Sequence, residues 1–183
     1  MKIEEYRKLI LESENKQSKY QIRGKINHDL GKAFEDKIET ICKAYEMSNL
    51  AKIEKTPEPM KIIKHIENGH FETIFTKSAQ PDFKGTVKGG KTIVFDAKFT
   101  ELDKISYGVL SEFQREALLS YKKLGAEAFV LVGFISGNIY KIDIDVWNNM
   151  KEKFGRKYIK EQELEELNFK TQKDKNGIEI FYN

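Results

Sequence analysis

Cysteine, proline and tryptophan are scarce: 183 residues include one Cys, three Pro and one Trp. A lone cysteine, Cys42, excludes an internal disulfide and any zinc cluster built on cysteines. The three histidines, His28, His65 and His70, show no metal-ligand spacing. No apolar run approaches the ~20 residues that a bilayer span requires. The first residues, MKIEEYRKLILESENK, mix acids with bases, unlike a signal peptide. There is no internal repeat and no low-complexity linker. These absences predict a cytoplasmic protein without a membrane partner. What is present, 39% hydrophobic and 11% aromatic residues, suits one domain with a sizeable core.

The net charge of +3, from 32 basic and 29 acidic residues, is too small to imply a partner. Its distribution is more informative. Segment 16–25, KQSKYQIRGK, carries Lys16, Lys19, Arg23 and Lys25 with no acid. Segment 151–160, KEKFGRKYIK, carries five bases against Glu152. Such patches contact phosphates or are simply solvated. Periodicity predicts a short charged helix over 2–14 and a stronger one over 29–47, with Asp29 as N-cap and Leu30, Phe34, Ile38, Ile41, Cys42 and Tyr45 at helical spacing. Extended segments follow at 51–55, 60–65, 71–77, 82–87 and 92–99, with Asn68-Gly69 as a hairpin turn. A second helix is expected over 109–123, its apolar face carrying Leu110, Phe113, Ala117, Leu118 and Tyr121 and its end at Gly125. Strands 128–134 and 139–144 should pair, followed by a helix over 145–153 and a short last strand, 178–182. Cys42 and Trp147 read as core. The pattern is one α/β domain, a mixed central sheet flanked by helices.

Chemistry concentrates in Gln80-Pro81-Asp82-Phe83 and Ile93-Val94-Phe95-Asp96-Ala97-Lys98. In the second strand Ile93, Phe95, Ala97 and Phe99 share one face; Val94, Asp96, Lys98 and Thr100 share the other. A two-residue Gly89-Gly90 turn would set the two acids on opposite faces. A three-residue loop, pairing Val87 with Lys91, sets Asp82 opposite Asp96 and calls for a glycine at positive φ. Opposed β positions lie about 4.5–5.5 Å apart at Cβ. Two carboxylates there repel unless a cation sits between them, and a hard divalent ion, Mg²⁺ or Mn²⁺, suits oxygen ligands. Lys98, on the same face, would reach the same point and stabilise charge on a phosphate. The plain alternative is a solvated face with an ordinary cross-strand salt bridge.

Pro81-Asp82 … Asp96-Ala97-Lys98 resembles the PD-(D/E)xK nuclease superfamily. The chain is more narrowly similar to the RecU family of Holliday junction resolvases from Gram-positive bacteria and their phages. That likeness runs from about Arg23 to Leu167. It is carried by Arg23-Gly24, Gly31-Lys32-Ala33-Phe34-Glu35, Lys55-Thr56-Pro57-Glu58-Pro59, the FDAK strand, Phe113-Gln114 and Gly155-Arg156-Lys157-Tyr158-Ile159-Lys160. It implies a restriction-endonuclease-like domain over 26–183 behind a basic segment 1–25, with a β-stalk at about 56–70 that enters the junction. It implies a homodimer that nicks two strands of four-way junction DNA symmetrically with Mg²⁺ or Mn²⁺, and a recombinase as a further partner. By position, Asp82 and Asp96 would be metal ligands, Gln114 another metal-site residue, Lys98 the stabilising lysine and Glu35 a helix glutamate close to the site. In the stalk Lys61, Lys64 and His65 would face DNA; Lys19, Arg23, Lys25, Arg156 and Lys157 of the two basic patches are the further candidate DNA contacts. Three positions depart from the family: Asp96 where glutamate is usual, Gln80 where a threonine metal contact is usual, and Phe113 where a histidine is usual. Two other readings stand beside the resolvase: another nuclease of this superfamily, or a non-catalytic DNA-binding or recombinase-modulating module.

Overall fold

The computed structural model describes residues 8, 16–57, 60–65, 71–75 and 80–182. Apart from Lys8, the helix expected over 2–14 lies outside them, as do the Asn68-Gly69 turn and the side chains of Lys19 and Lys61. Helix α1, Lys16–Met47, is followed by strand β1, Ala51–Lys55, the β2–β3 hairpin (Met60–His65 and Phe71–Phe75), β4, Phe83–Val87, and β5, Thr92–Thr100. Then come β6, Lys104–Ser106, a 3₁₀ turn at Tyr107–Val109, and helix α2, Glu112–Lys123. Strands β7, Glu127–Phe134, and β8, Ile139–Asp143, precede two short helices, α3 (Ile144–Asn148) and α4 (Met150–Phe154). The chain closes with β9, Tyr158–Lys160, α5, Glu161–Glu166, and the two-residue strands β10, Gln172–Lys173, and β11, Glu179–Ile180.

Five strands form the central sheet in the order β1-β4-β5-β7-β8. Only β5 and β7 run parallel; the other neighbours are antiparallel. A parallel pair needs a long crossover, and α2 supplies it. The two faces of β5 therefore look at different layers. Ile93, Phe95 and Ala97 join Phe83, Phe129 and Leu131 under α1, whose Phe34, Ile38, Cys42 and Tyr45 complete that core. Phe83, Phe95 and Phe129 stand abreast across three strands, with ring centroids 4.9 and 5.0 Å apart and nearly parallel planes. On the opposite face Val94, Val130 and Val132 pack with Leu110 and Leu118 around α2 and with Trp147 of α3. Each large apolar side chain buried in these layers contributes about 1.5–3 kcal/mol.

Several expectations are corrected. Helix α1 begins at least thirteen residues before Asp29, so Asp29 lies mid-helix and caps nothing. Gly24 and Gly31 do not interrupt it; an isolated glycine costs a helix only about 1 kcal/mol, less than the packing along Ile26, Phe34 and Ile38 returns. Phe113 is 63% exposed, because α2 starts at Glu112 and its first turn projects beyond the sheet. The helix expected over 145–153 is two helices joined at Asn149. The β6–β9 pair and α5 carry too few residues to show a period. Gly133 has a role that its letter does not reveal: a Cβ there would stand 2.5 Å from the Phe34 ring, so α1 can lie on β7 only over a glycine. Gly125 closes α2 at φ +91°, as expected. Among the described residues no helix is long and apolar enough to cross a membrane.

Candidate active site

The β4–β5 hairpin has the register that the patterning requires. Phe83 stands opposite Phe95 and Thr86 opposite Thr92; the Val87 N–H donates to Lys91 O at 3.0 Å. The loop is therefore three residues, 88–90, with Gly89 at φ +99° and Gly90 at φ +88°. One step before Phe83, the same register sets Asp82 opposite Asp96. The Asp82 carbonyl is held by the Thr56 N–H at 2.8 Å, so β1 braces this end of β4.

Four side chains meet here. Lys98 Nζ lies 3.3 Å from Asp82 Oδ2 and 3.2 Å from Asp96 Oδ1. The Ala97 N–H donates to Asp82 Oδ2 at 3.0 Å. Gln114 Nε2 donates to Asp96 Oδ1 at 2.8 Å. Asp96 is wholly buried, whereas the Asp82 and Lys98 side chains keep 23% and 18% of their exposure. Among the described residues Asp96 Oδ2 has no hydrogen-bond partner. Burial pushes the Asp96 carboxyl up, Lys98 pulls it down and Asp82 pushes it up again; the outcome is about 7. Burial alone would lower the Lys98 ammonium, but the two carboxylates outweigh it and hold it above its ordinary value. One shared lysine does not neutralise two carboxylates. The arrangement accepts a further positive charge, a proton or a metal ion, beside Asp96 Oδ2.

Gln114 is oriented by its own helix. Ser111 is the N-cap of α2: its Oγ accepts from the Gln114 N–H at 3.3 Å, and Gln114 Oε1 accepts from the Ser111 N–H at 3.0 Å. This reciprocal capping box engages the amide oxygen and aims the NH₂ group at Asp96. Ser111 was not singled out from the sequence, although Ser-x-x-Gln ahead of an apolar stretch is the signature of such a box.

The remaining candidates are more scattered. Glu35 pairs with Lys55 at 2.7 Å, and Lys55 stands opposite Phe83, one residue from Asp82. Gln80 is exposed and accepts from Lys84 Nζ at 2.8 Å. Arg23 and Lys25 are exposed on α1, and Lys64 on β2 stands opposite Glu72. Arg156 donates to Phe154 O at 3.2 Å and is ion-paired to Glu163. Lys157 is exposed, its ammonium 5.4 Å from the centre of the Tyr107 ring. Cys42 is buried and free, its thiol pushed up to about 12 by burial, which makes it inert. Among the described residues no group of three or more His, Cys, Asp or Glu side chains is placed to hold a metal ion; the site offers two carboxylates.

The family model of RecU, recombination protein U, matches residues 29–182. The chain belongs to the RecU family. Its relatives include the Holliday junction resolvase RecU of Bacillus subtilis strain 168, 30% identical over 151 residues, covering 74% of this chain and 69% of that one. The Holliday junction resolvase RecU of Bacillus cytotoxicus is 32% identical over 149 residues, covering 74% and 72%. Among solved structures, an Archaeoglobus fulgidus Holliday junction resolvase, Hjc, aligns with a TM-score of 0.48 at 14% identity, covering 74% of this chain and 92% of that one. In this RecU-family chain the landmarks named from the sequence after Asp29 fall inside the matched span.

Proposed function

We propose that this RecU-family chain is a metal-dependent, structure-selective DNA endonuclease that resolves four-way junctions by paired nicks, with Asp82, Asp96 and Lys98 as its catalytic residues. The observation that carries this reading is the fully buried Asp96, left with an unpartnered oxygen opposite a second carboxylate and sharing one lysine with it. Burying an uncompensated carboxylate is expensive. A fold that bears this cost in the middle of its central strand has a use for the charge.

The donor set fits a hard divalent cation. Among the described residues it consists of carboxylate oxygens, one of them free of hydrogen bonds, with no thiolate or imidazole beside them. Asp82 and Asp96 would hold Mg²⁺ or Mn²⁺, which when bound supplies Lewis-acid polarisation of a phosphate oxygen and an acidified water. Gln114 would hold Asp96 in place through Nε2; its oxygen becomes a ligand only if the capping box opens. The Ala97 N–H holds Asp82 Oδ2. Lys98, kept protonated by both carboxylates, would stabilise charge that develops on the scissile phosphate. Glu35, paired with Lys55 beside the start of β4, would help position that end of the site. Each chain carries one Asp82–Asp96 pair, so symmetric nicking of two strands requires two copies related by a two-fold axis.

The test is cleavage of a labelled synthetic four-way junction beside the matching linear duplex, with Mg²⁺, with Mn²⁺ and with chelator. Paired nicks near the junction centre that require metal and vanish in Asp96→Asn are expected. Equal cleavage of both DNAs would make the chain a general nuclease, and binding without cleavage would make it a junction-binding module.

A further inference from the structure

Cations and tyrosines interleave on the sheet face that carries Asp96 and Lys98. The end of β5 is tied to β6 by Thr100 Oγ1, which donates to Lys104 O at 3.2 Å, two residues beyond Lys98. Strand β6 pairs with β9, Ser106 opposite Tyr158 and Lys104 opposite Lys160, and the Tyr107 N–H donates to Lys157 O at 2.9 Å. Ile105 and Ile159 of this ribbon pack into the same core as Val94, Leu110 and Leu118. The ribbon therefore lies on the α2 side of the sheet. Its outer side chains alternate in kind. The Arg115 guanidinium sits 4.3 Å from the Tyr107 ring centre, with the Lys157 ammonium at 5.4 Å from the same ring. The Lys104 ammonium is 4.9 Å from the Tyr158 ring. Arg115 directly follows Gln114, the residue that touches Asp96.

Two features separate these three cations from the other basic residues near the sheet. First, among the described residues no carboxylate lies within ion-pair distance of Lys104, Arg115 or Lys157, whereas Lys91, Lys122 and Lys141 at the opposite end of the strands are all paired with acids. Second, a tyrosine ring faces each of their charged groups; Arg115 gives one guanidinium N–H to Leu110 O at 2.5 Å and keeps its others, whereas Lys141 and Arg156, which also stand over rings, are held by acids as well. A cation over a ring face is weakly held, already partly ordered, and able to turn its hydrogen bonds to an anion. The adjacent Arg156 differs, because Glu163 occupies it.

We propose that Lys104, Tyr107, Arg115, Lys157 and Tyr158 form a phosphate-binding rail that leads one DNA arm into the Asp82–Asp96 site. The inference rests on the nuclease reading above. The partner is the sugar-phosphate backbone of a duplex arm, recognised without regard to sequence, because ammonium and guanidinium groups spaced along a ribbon match phosphates and carry no base code. The tyrosines act as positioning residues for the cations.

The test uses the full chain, a labelled four-way junction and chelator, with affinity measured from 50 to 200 mM salt. Each lost phosphate contact lowers the slope of log K against log salt by about 0.9. Lys157→Gln should remove about one such step, and Lys104→Gln/Lys157→Gln about two. Tyr107→Leu should weaken binding several-fold, and Tyr107→Phe should restore it, since the ring and not the hydroxyl holds the cations. Lys175→Gln, a charge-matched change in the exposed β10–β11 turn, should leave slope and affinity unchanged. Thermal unfolding within ~2 °C of wild type shows that each variant folds. Lysine variants whose slopes match that of Lys175→Gln would overturn the rail while wild-type cleavage still stood. A wild-type chain that neither binds nor nicks the junction would overturn the nuclease reading itself, and the rail with it.

Discussion

Two carboxylates sit deep in adjacent parallel strands, and their surroundings could hardly differ more. Glu127 begins β7 with its side chain 10% exposed; Lys91 Nζ lies 2.8 Å from one oxygen and Lys141 is ion-paired to the other. Burial pushes its carboxyl up, but the two lysines outweigh burial and hold it below the ordinary value. Asp96, in the middle of β5, shares one lysine with a second acid and is pushed up to about 7; among the described residues neither its Oδ2 nor Glu127 Oε2 has a hydrogen-bond partner, but Glu127 Oε2 has the Lys91 ammonium 2.8 Å away. One acid with two cations is a finished structural pair. Two acids with one cation are an unfinished site. The comparison teaches that lysine content does not mark function in this chain; the balance of charge around a buried group does.

Substitution should separate the two ends in opposite ways. Asp96→Asn should abolish metal-dependent cleavage, a loss on the order of 10²–10³-fold or more given what single charge-stabilising groups contribute. The same variant should unfold at a higher temperature than wild type in chelator at pH 8, because it removes an uncompensated buried charge. Glu127→Gln should do the reverse. It strands Lys91 and Lys141 and should cost about 2 kcal/mol, less than a fully buried pair because Lys91 is half exposed. That corresponds to roughly 4–8 °C, with the cleavage rate at a permissive temperature unchanged. Thermal melts and single-turnover junction cleavage on the same preparations read both effects. Destabilisation by Asp96→Asn would erase the distinction.

A subtler divergence should appear with pH. The Asp96 carboxyl titrates near 7 in the folded chain against 3.8 for the ordinary group. The folded state therefore holds its proton longer than the unfolded state does, and stability falls as pH rises from about 4 to about 7. In chelator, wild type should lose stability relative to Asp96→Asn between pH 5 and pH 8, with the gap no longer widening above about pH 7. Glu127 has the opposite sign: its contribution is present above its ordinary value of 4.5 and is lost as pH falls below it. Saturating Mg²⁺ should raise the melting temperature of wild type at pH 8 and leave Asp96→Asn unmoved, as expected for a ligand that binds only the folded site.

The hairpin was legible because its pattern is strict. Alternation on β5 and the demand that both acids share a face leave one loop length, and Val87–Lys91 pairing at a three-residue loop is what forms. The buried layers were legible for the same reason. The capping box, the β6–β9 ribbon and the ion pairing of Arg156 were not. The ribbon strands are three residues long, too short for a period, and their partners are more than fifty residues apart. The length of α1 escaped because charged residues and two glycines mask its helical spacing where only one side touches the sheet. Glu35, carried over from the family, sits on α1 and is engaged by Lys55 of β1, with β4 between β1 and the strand of Asp96. Sequence patterns specify which residues share a face; they do not specify how a neighbouring helix aims an amide into that face.

Ser111 offers the smallest and most specific break. It touches neither Asp82 nor Lys98, yet the Gln114 amide points at Asp96 only while the Ser111 N–H holds the amide oxygen and the Ser111 hydroxyl holds the Gln114 N–H. Ser111→Ala removes the side-chain half of the box and should cost about 1 kcal/mol, near 2–4 °C. Glu127→Gln costs more stability than this and should leave cleavage intact. Ser111→Ala should slow cleavage several-fold and raise the Mg²⁺ concentration needed for half-maximal rate, since a looser Gln114 leaves Asp96 less well fixed. Ser111→Thr, which keeps the capping hydroxyl, should restore both quantities. Cleavage and metal dependence that stay at wild-type values in Ser111→Ala would reduce the box to an ordinary helix cap and leave Asp96 to be positioned by its own strand.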